Sequence, residues 1–336
     1  MKRAAVWIAA CALLGGCALR PEALDPAGVD AARIDRLWWL FFAVTAAVYI
    51  VVIVVAAVGV VRFRARGADT AGAVDAAPRS DRIAKPVVIL ALFVSFALLV
   101  VLGAADFRTR HAIRETEGPL VVQVTGHQWW WEFEYPDSAV PARTVTSPNE
   151  LHLPVGTDVR LDLVSHDVIH SLWIPQLHGK MDLVPGHPTR MRIRVTRAGR
   201  YFGQCAEFCG HQHATMRLLV IAEPPARFEQ WMDAQRQVPS PPATASAIHG
   251  RDVFMSSTCV MCHTIRGTSA ASRVGPDLTH VGSRVSIAAV SLPNVKQHLM
   301  QWIANPQQSR PGVEMPPNPL PEHDLSALAD YLEGLR

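Results

Sequence analysis

The sequence predicts a multidomain chain: a two-helix transmembrane hairpin, an all-β sandwich or barrel, and a small all-α domain. Three observations predict it. Two long apolar runs without a charge lie in the first third of the 336 residues. Short β-branched and aromatic runs, broken by Pro, Gly and Asn at sandwich or barrel spacing, occupy the middle. RQVPSPPATASA then reads as a linker, and the last ninety or so residues are helical and loop-like. At ~150 residues per domain the length calls for two or three units. A formal net charge of +3 without a basic stripe excludes nucleic acid as a partner.

Taken in order, residues 1–16 (MKRAAVWIAACALLGG) have two basic residues, an apolar stretch and a small-residue end before Cys17, the pattern of a lipoprotein-type export signal. Cys17 is then the lipidated first residue of the mature chain; an ordinary signal peptide with an incidental cysteine is the alternative. Residues 17–36 form an exported segment. Leu37 to Val61 gives 25 uncharged residues and Val87 to Ala105 gives 19, each enough to cross ~30 Å of hydrocarbon as a helix. Between them, residues 62–86 hold six Lys/Arg against three Asp, which makes this loop cytoplasmic. Both chain ends then lie outside, on the periplasmic side of a bacterial inner membrane. Residues 106–235 read as the β domain, 236–247 as the linker and 248–336 as the helical domain.

The chemistry concentrates in CAEFCGHQHATM, Cys205 to Met216. Two cysteines four apart permit a disulfide in an oxidising compartment. His213 and Met216 follow closely, however, and VSHDVIHSLWIP supplies His170. Thiolate, imidazole and thioether are ligands that copper favours, and two thiolates on one loop can bridge a pair of coppers. The C-terminal domain carries Cys259-Val260-Met261-Cys262-His263, the pattern that attaches haem covalently through two thiols and ligates its iron through the histidine. No second CxxC supports a zinc reading.

From Val121 to Ile221 the chain resembles the cupredoxin domain of cytochrome c oxidase subunit II, on GHQWWWEFEY, DVIHSLWIPQLHGKMDLVPG, YFGQCAEFCGHQHATM and the preceding membrane hairpin. The resemblance implies a dinuclear copper centre, CuA, held by His170, Cys205, Cys209, His213, Met216 and the main-chain oxygen of Glu207. It also implies that the Glu207 carboxylate reaches an interfacial magnesium ion. Trp129, the first tryptophan after GHQ, matches the electron-entry residue; a packing role is its alternative. VGPDLTHVGSR resembles the loop after haem attachment in small c-type cytochromes, and Met315 in PGVEMPP matches their second axial ligand. Met255, Met261 and Met300 lie too close to the attachment site or within a helix. His166, His178, His187 and His211 are read as solvated or locally bonded.

The resemblance implies an electron-entry subunit of a haem-copper terminal oxidase, fused to a cytochrome c domain. It would pass electrons from cytochrome c or another respiratory donor through haem c and CuA to subunit I, with subunit III beside it. The catalytic oxygen chemistry would lie in subunit I, not in this chain. One departure stands out: where many relatives have a glutamate before the second membrane helix, DRIAKP places Arg82. Two alternatives remain, the electron-entry subunit of a copper-containing nitric oxide reductase and a membrane-anchored copper chaperone. A quinol oxidase subunit would lack the copper ligands.

Overall fold

The computed structural model describes residues 22–65, 77–113, 117–137 and 139–336. The expected export signal and Cys17 lie outside the described residues, as does the middle of the loop expected over 62–86.

Two helices follow from the apolar runs, α1 (Val29–Ala65) and α2 (Ala77–Ile113), each of 37 residues. Both are long and apolar enough to cross a membrane. At 1.5 Å per residue each is roughly 55 Å long, so both continue past the apolar runs into charged sequence. A helix does not have to stop where hydrocarbon stops, because its backbone hydrogen bonds are internal. Val51, Phe93, Phe96 and Leu99 are exposed along the helices, as lipid-facing side chains must be. Trp38 stacks on Phe42 with ring centroids 5.2 Å apart near the start of α1, a placement typical of interfacial aromatics. Arg33 donates to the Ala112 carbonyl at 3.0 Å and ties the start of α1 to the end of α2.

The β domain consists of two five-stranded sheets. One runs β3 (Val145–Pro148), β2 (Trp130–Tyr135), β1 (Leu120–His127), β5 (Asp158–Ser165), β8 (Thr189–Arg194). The other runs β4 (Glu150–Pro154), β10 (Arg217–Glu223), β9 (Gly199–Cys205), β6 (His170–Trp173), β7 (Met181–Leu183). Alternation decides the faces: in β5, Val159, Leu161 and Leu163 are buried while their neighbours are only partly covered. They join Val122, Val124, Phe133, Leu151, Leu153 and Val220 in the core. The segment before α1 is strapped to this sandwich, with Ala27 N–H donating to Gln176 O at 2.7 Å and Thr196 N–H to Ala27 O at 2.8 Å. Helix α3 (Pro225–Arg236) closes the domain by burying Phe228 and Met232.

The C-terminal domain holds α4 (Ala245–Ser256), a short hairpin of β11 (Ser286–Ile287) and β12 (Leu292–Pro293), then α5 (Lys296–Ala304), α6 (Pro306–Ser309) and α7 (Glu322–Gly334). Thr244 caps α4 by accepting from Ala247 N–H at 3.1 Å. Helices α4 and α7 cross at Gly250, where a Cβ would fall 1.9 Å from the Ala327 carbonyl oxygen. Only a residue without a side chain permits that approach. Phe254, Leu328, Tyr331 and Leu332 fill the core beside the crossing.

This domain packs on the β domain through polar contacts. Arg273 reaches Glu134 at 2.6 Å and Glu132 at 3.4 Å. Glu150, at 2% exposure, accepts from the backbone N–H groups of Val285 at 2.8 Å and Ser286 at 3.1 Å.

Candidate functional site

The β6–β9 register sets Leu172 opposite Cys205, which brings the start of one strand to the end of the other. His170, fully buried, thereby meets two cysteines that are remote from it in sequence. Its Nδ1 lies 3.9 Å from Cys205 Sγ, and the ligand atoms of His170, Cys205 and Cys209 lie within 4.8 Å of one another. The two sulfurs are 3.8 Å apart; both cysteines are free and buried. Cys209 Sγ is 3.7 Å from His213 Nδ1 and 3.8 Å from Met216 Sδ. The Glu207 carbonyl stands 3.2 Å from Cys205 Sγ. All six residues expected at the copper site therefore converge.

Two residues that the sequence did not single out shape this cluster. Asp167 Oδ1 contacts His170 Nε2 at 2.7 Å, and Asp167 Oδ2 accepts from Gln128 N–H at 2.7 Å. A carboxylate on the far nitrogen orients a metal-binding imidazole and raises its basicity. Burial pushes the Asp167 carboxyl up, but the bonds to His170, Val168 and Gln128 outweigh it and hold the carboxyl below its usual range. A second support is the Gln128 side-chain amide, which donates to the Cys209 carbonyl at 2.7 Å. The spacing of Asp167 three residues before His170 was the available signal.

The donor set fits copper. Two sulfurs, two imidazole nitrogens, a thioether and a carbonyl gather around the buried cysteines, the soft and borderline ligands that copper favours. Contact with Cys209, aided by His170, outweighs burial and brings the Cys205 thiol down to about 3. The same contact, with burial, pushes the Cys209 thiol up. The Glu207 side chain is exposed and joins no cluster of three His, Cys, Asp or Glu donors among the described residues.

The second site is a cavity of about 320 Å³ where the C-terminal domain meets the β domain, lined by Cys259, Cys262, His263, Met315 and Trp302 among others. That volume lies within the roughly 300–1,000 Å³ common for small-molecule sites. His263 Nδ1 donates to Pro276 O at 2.8 Å, which leaves Nε2 unprotonated and available to a metal. Burial, more than this hydrogen bond, governs the ring and holds its pKa down, so it is a neutral ligand. Gly275 packs against it; a Cβ there would lie 2.8 Å from His263 Cε1. Two thiols, a neutral imidazole and a methionine around one apolar cavity fit a covalently attached haem.

Trp129 lies between the two sites. It is 7% exposed, its indole N–H donates to the Cys209 carbonyl at 2.8 Å, and it also lines this cavity. Trp130 stacks on His127 at 4.1 Å instead, and Trp131 is core. Of the set-aside histidines, His178 is buried with Nδ1 at 3.0 Å from the Gly179 carbonyl, while His187 and His211 are exposed.

A family model described as cytochrome C oxidase subunit II, periplasmic domain, matches residues 138–223, and one described as cytochrome c matches residues 247–336. Cytochrome c oxidase subunit 2 of Alkalihalophilus pseudofirmus is 33% identical over 322 residues, covering 94% of this chain and 90% of the relative. The protein of the same name from Bacillus subtilis is 32% identical over 263 residues, covering 75% of this chain and 72% of its own length. Among solved structures, the periplasmic domain of subunit II of cytochrome oxidase from Bradyrhizobium japonicum is 26% identical, covers 36% of this chain and 95% of that one, and gives a TM-score of 0.33.

Proposed function

Because the chain belongs to the cytochrome c oxidase subunit 2 family and carries a cytochrome c domain, we propose that it relays electrons from a cytochrome c-type donor, through haem c and a dinuclear copper centre, to subunit I. His170, Cys205, Cys209, His213, Met216 and the Glu207 carbonyl would hold the coppers. Cys259 and Cys262 would bond the haem, with His263 and Met315 as axial ligands. When bound, these groups supply reversible one-electron chemistry. The residues around them fix geometry: Asp167 orients His170, Pro276 orients His263, and Gln128 and Trp129 hold the Cys209 carbonyl.

The observation that carries the reading is the double role of Trp129, hydrogen-bonded to the copper loop and bordering the haem cavity. One residue thus meets the copper loop through its indole N–H and also borders the cavity. The hairpin would anchor the chain by two passes in a bacterial inner membrane, with both folded domains on the periplasmic side and subunits I and III alongside. Cys17 would add a lipid anchor.

Metal analysis of the purified full chain, matured with haem attachment and supplied with copper, tests the reading. Two coppers and one iron per chain are expected. One iron without copper would remove the relay and leave Cys205 and Cys209 as a thiol pair.

A further inference from the structure

Arg310 follows α6 and is 3% exposed. Among the described residues no carboxylate forms an ion pair with it. Its guanidinium instead donates to neutral oxygens of the other domain: Gln212 Oε1 at 3.2 Å, the Trp129 carbonyl at 3.1 Å and Thr215 Oγ1 at 3.4 Å. The Gln212 amide returns a hydrogen bond to the Pro311 carbonyl. Burying a guanidinium is costly, and hydrogen bonds to its donors offset part of that cost. Burial, reinforced by Arg217, lowers its pKa to about 10, so it remains a cation at neutral pH.

The acceptors lie beside the proposed copper ligands. Gln212 precedes His213, Thr215 precedes Met216, and Trp129 holds the Cys209 carbonyl. Arg310 also lines the cavity that Val313 and Met315 line. We propose that Arg310 is a positioning residue, a fork that pins the haem-bearing domain against the Trp129 edge of the copper loop and so sets the gap electrons cross. This rests on the relay reading above.

The test compares the full chain with Arg310→Gln, which lacks the charge, and Arg310→Lys, which keeps the charge but loses the planar fork. Amide exchange is read at Thr215 and at Gly312 to Val313. The rate at which a ruthenium-photoreduced haem passes its electron to copper is read alongside the optical spectra of both metals. In Arg310→Gln, faster exchange is expected with unchanged spectra, and a rate about tenfold lower if the docked fraction falls to roughly a tenth. Arg310→Lys should fall between, and it carries the test if the Gln variant does not fold. Exchange and rate equal to wild type would overturn the proposal. So would a slower rate accompanied by an altered copper spectrum, because Arg310 would then act on the ligands themselves. If wild type shows no copper or haem signature, the relay reading fails, and the exchange comparison alone still decides whether Arg310 pins the domains.

Discussion

Asp167 supports the candidate copper site without standing among its expected ligands. Its bond to His170 Nε2 turns Nδ1 toward the cysteines, and its second oxygen holds the backbone ahead of Trp129. Asp167→Ala should weaken copper binding by about 10- to 100-fold, the usual cost of losing such a support; competitive copper titration followed by visible absorption measures it, and unchanged affinity would refute the orienting role. The candidate ligands drew notice in sequence because five of the six fall within the twelve residues Cys205 to Met216. Asp167 did not, because an acidic residue in a turn looks the same in sequence whether it faces water or an imidazole. Arg310 was less legible still, since its partners come from another domain.

At the scale of elements, hydropathy located both helices but not their ends, which run on into Arg-containing sequence at 62–65 and 106–113. Period-2 burial in β5 was readable from VRLDLV. The pairing of β6 with β9 was not, although it is what joins His170 to Cys205, because strand order depends on contacts remote in sequence. The α4–α7 crossing makes a sharper demand. Gly250→Ala sets a methyl group against a backbone carbonyl, which cannot move aside as a flexible side chain would. A loss of about 1–3 kcal/mol is expected, as for other overpacked contacts. Denaturant unfolding of the full chain, followed at the haem absorbance, reads it; wild-type stability would mean that the helices separate at no cost.

For the whole molecule, the docking of the two domains should respond to pH through Glu150. Burial dominates its environment and holds its carboxyl above the usual range, outweighing Arg284, His152 and the two backbone donors. The docked form therefore binds a proton more tightly than a solvated carboxyl does. Its contribution is fully present below the ordinary carboxylate pKa and is lost as pH rises through the raised value. Glu150→Gln keeps an acceptor without the charge, so its stability relative to wild type should increase from pH 4.5 to pH 7. Paired denaturation curves at the two pH values check this, and a constant difference would overturn it.

The near burial of Trp129 beneath the fused domain also bears on which proteins can serve this one. On the relay reading the wiring is in series: a visiting donor cannot touch the tryptophan and must deliver its electron to the haem domain's outer surface. That domain, residues 248–336, carries seven basic and seven acidic side chains, so it presents no strong net field to attract a particular partner. On that reading donor choice would rest on the local shape of this one domain, which holds none of the proposed copper ligands.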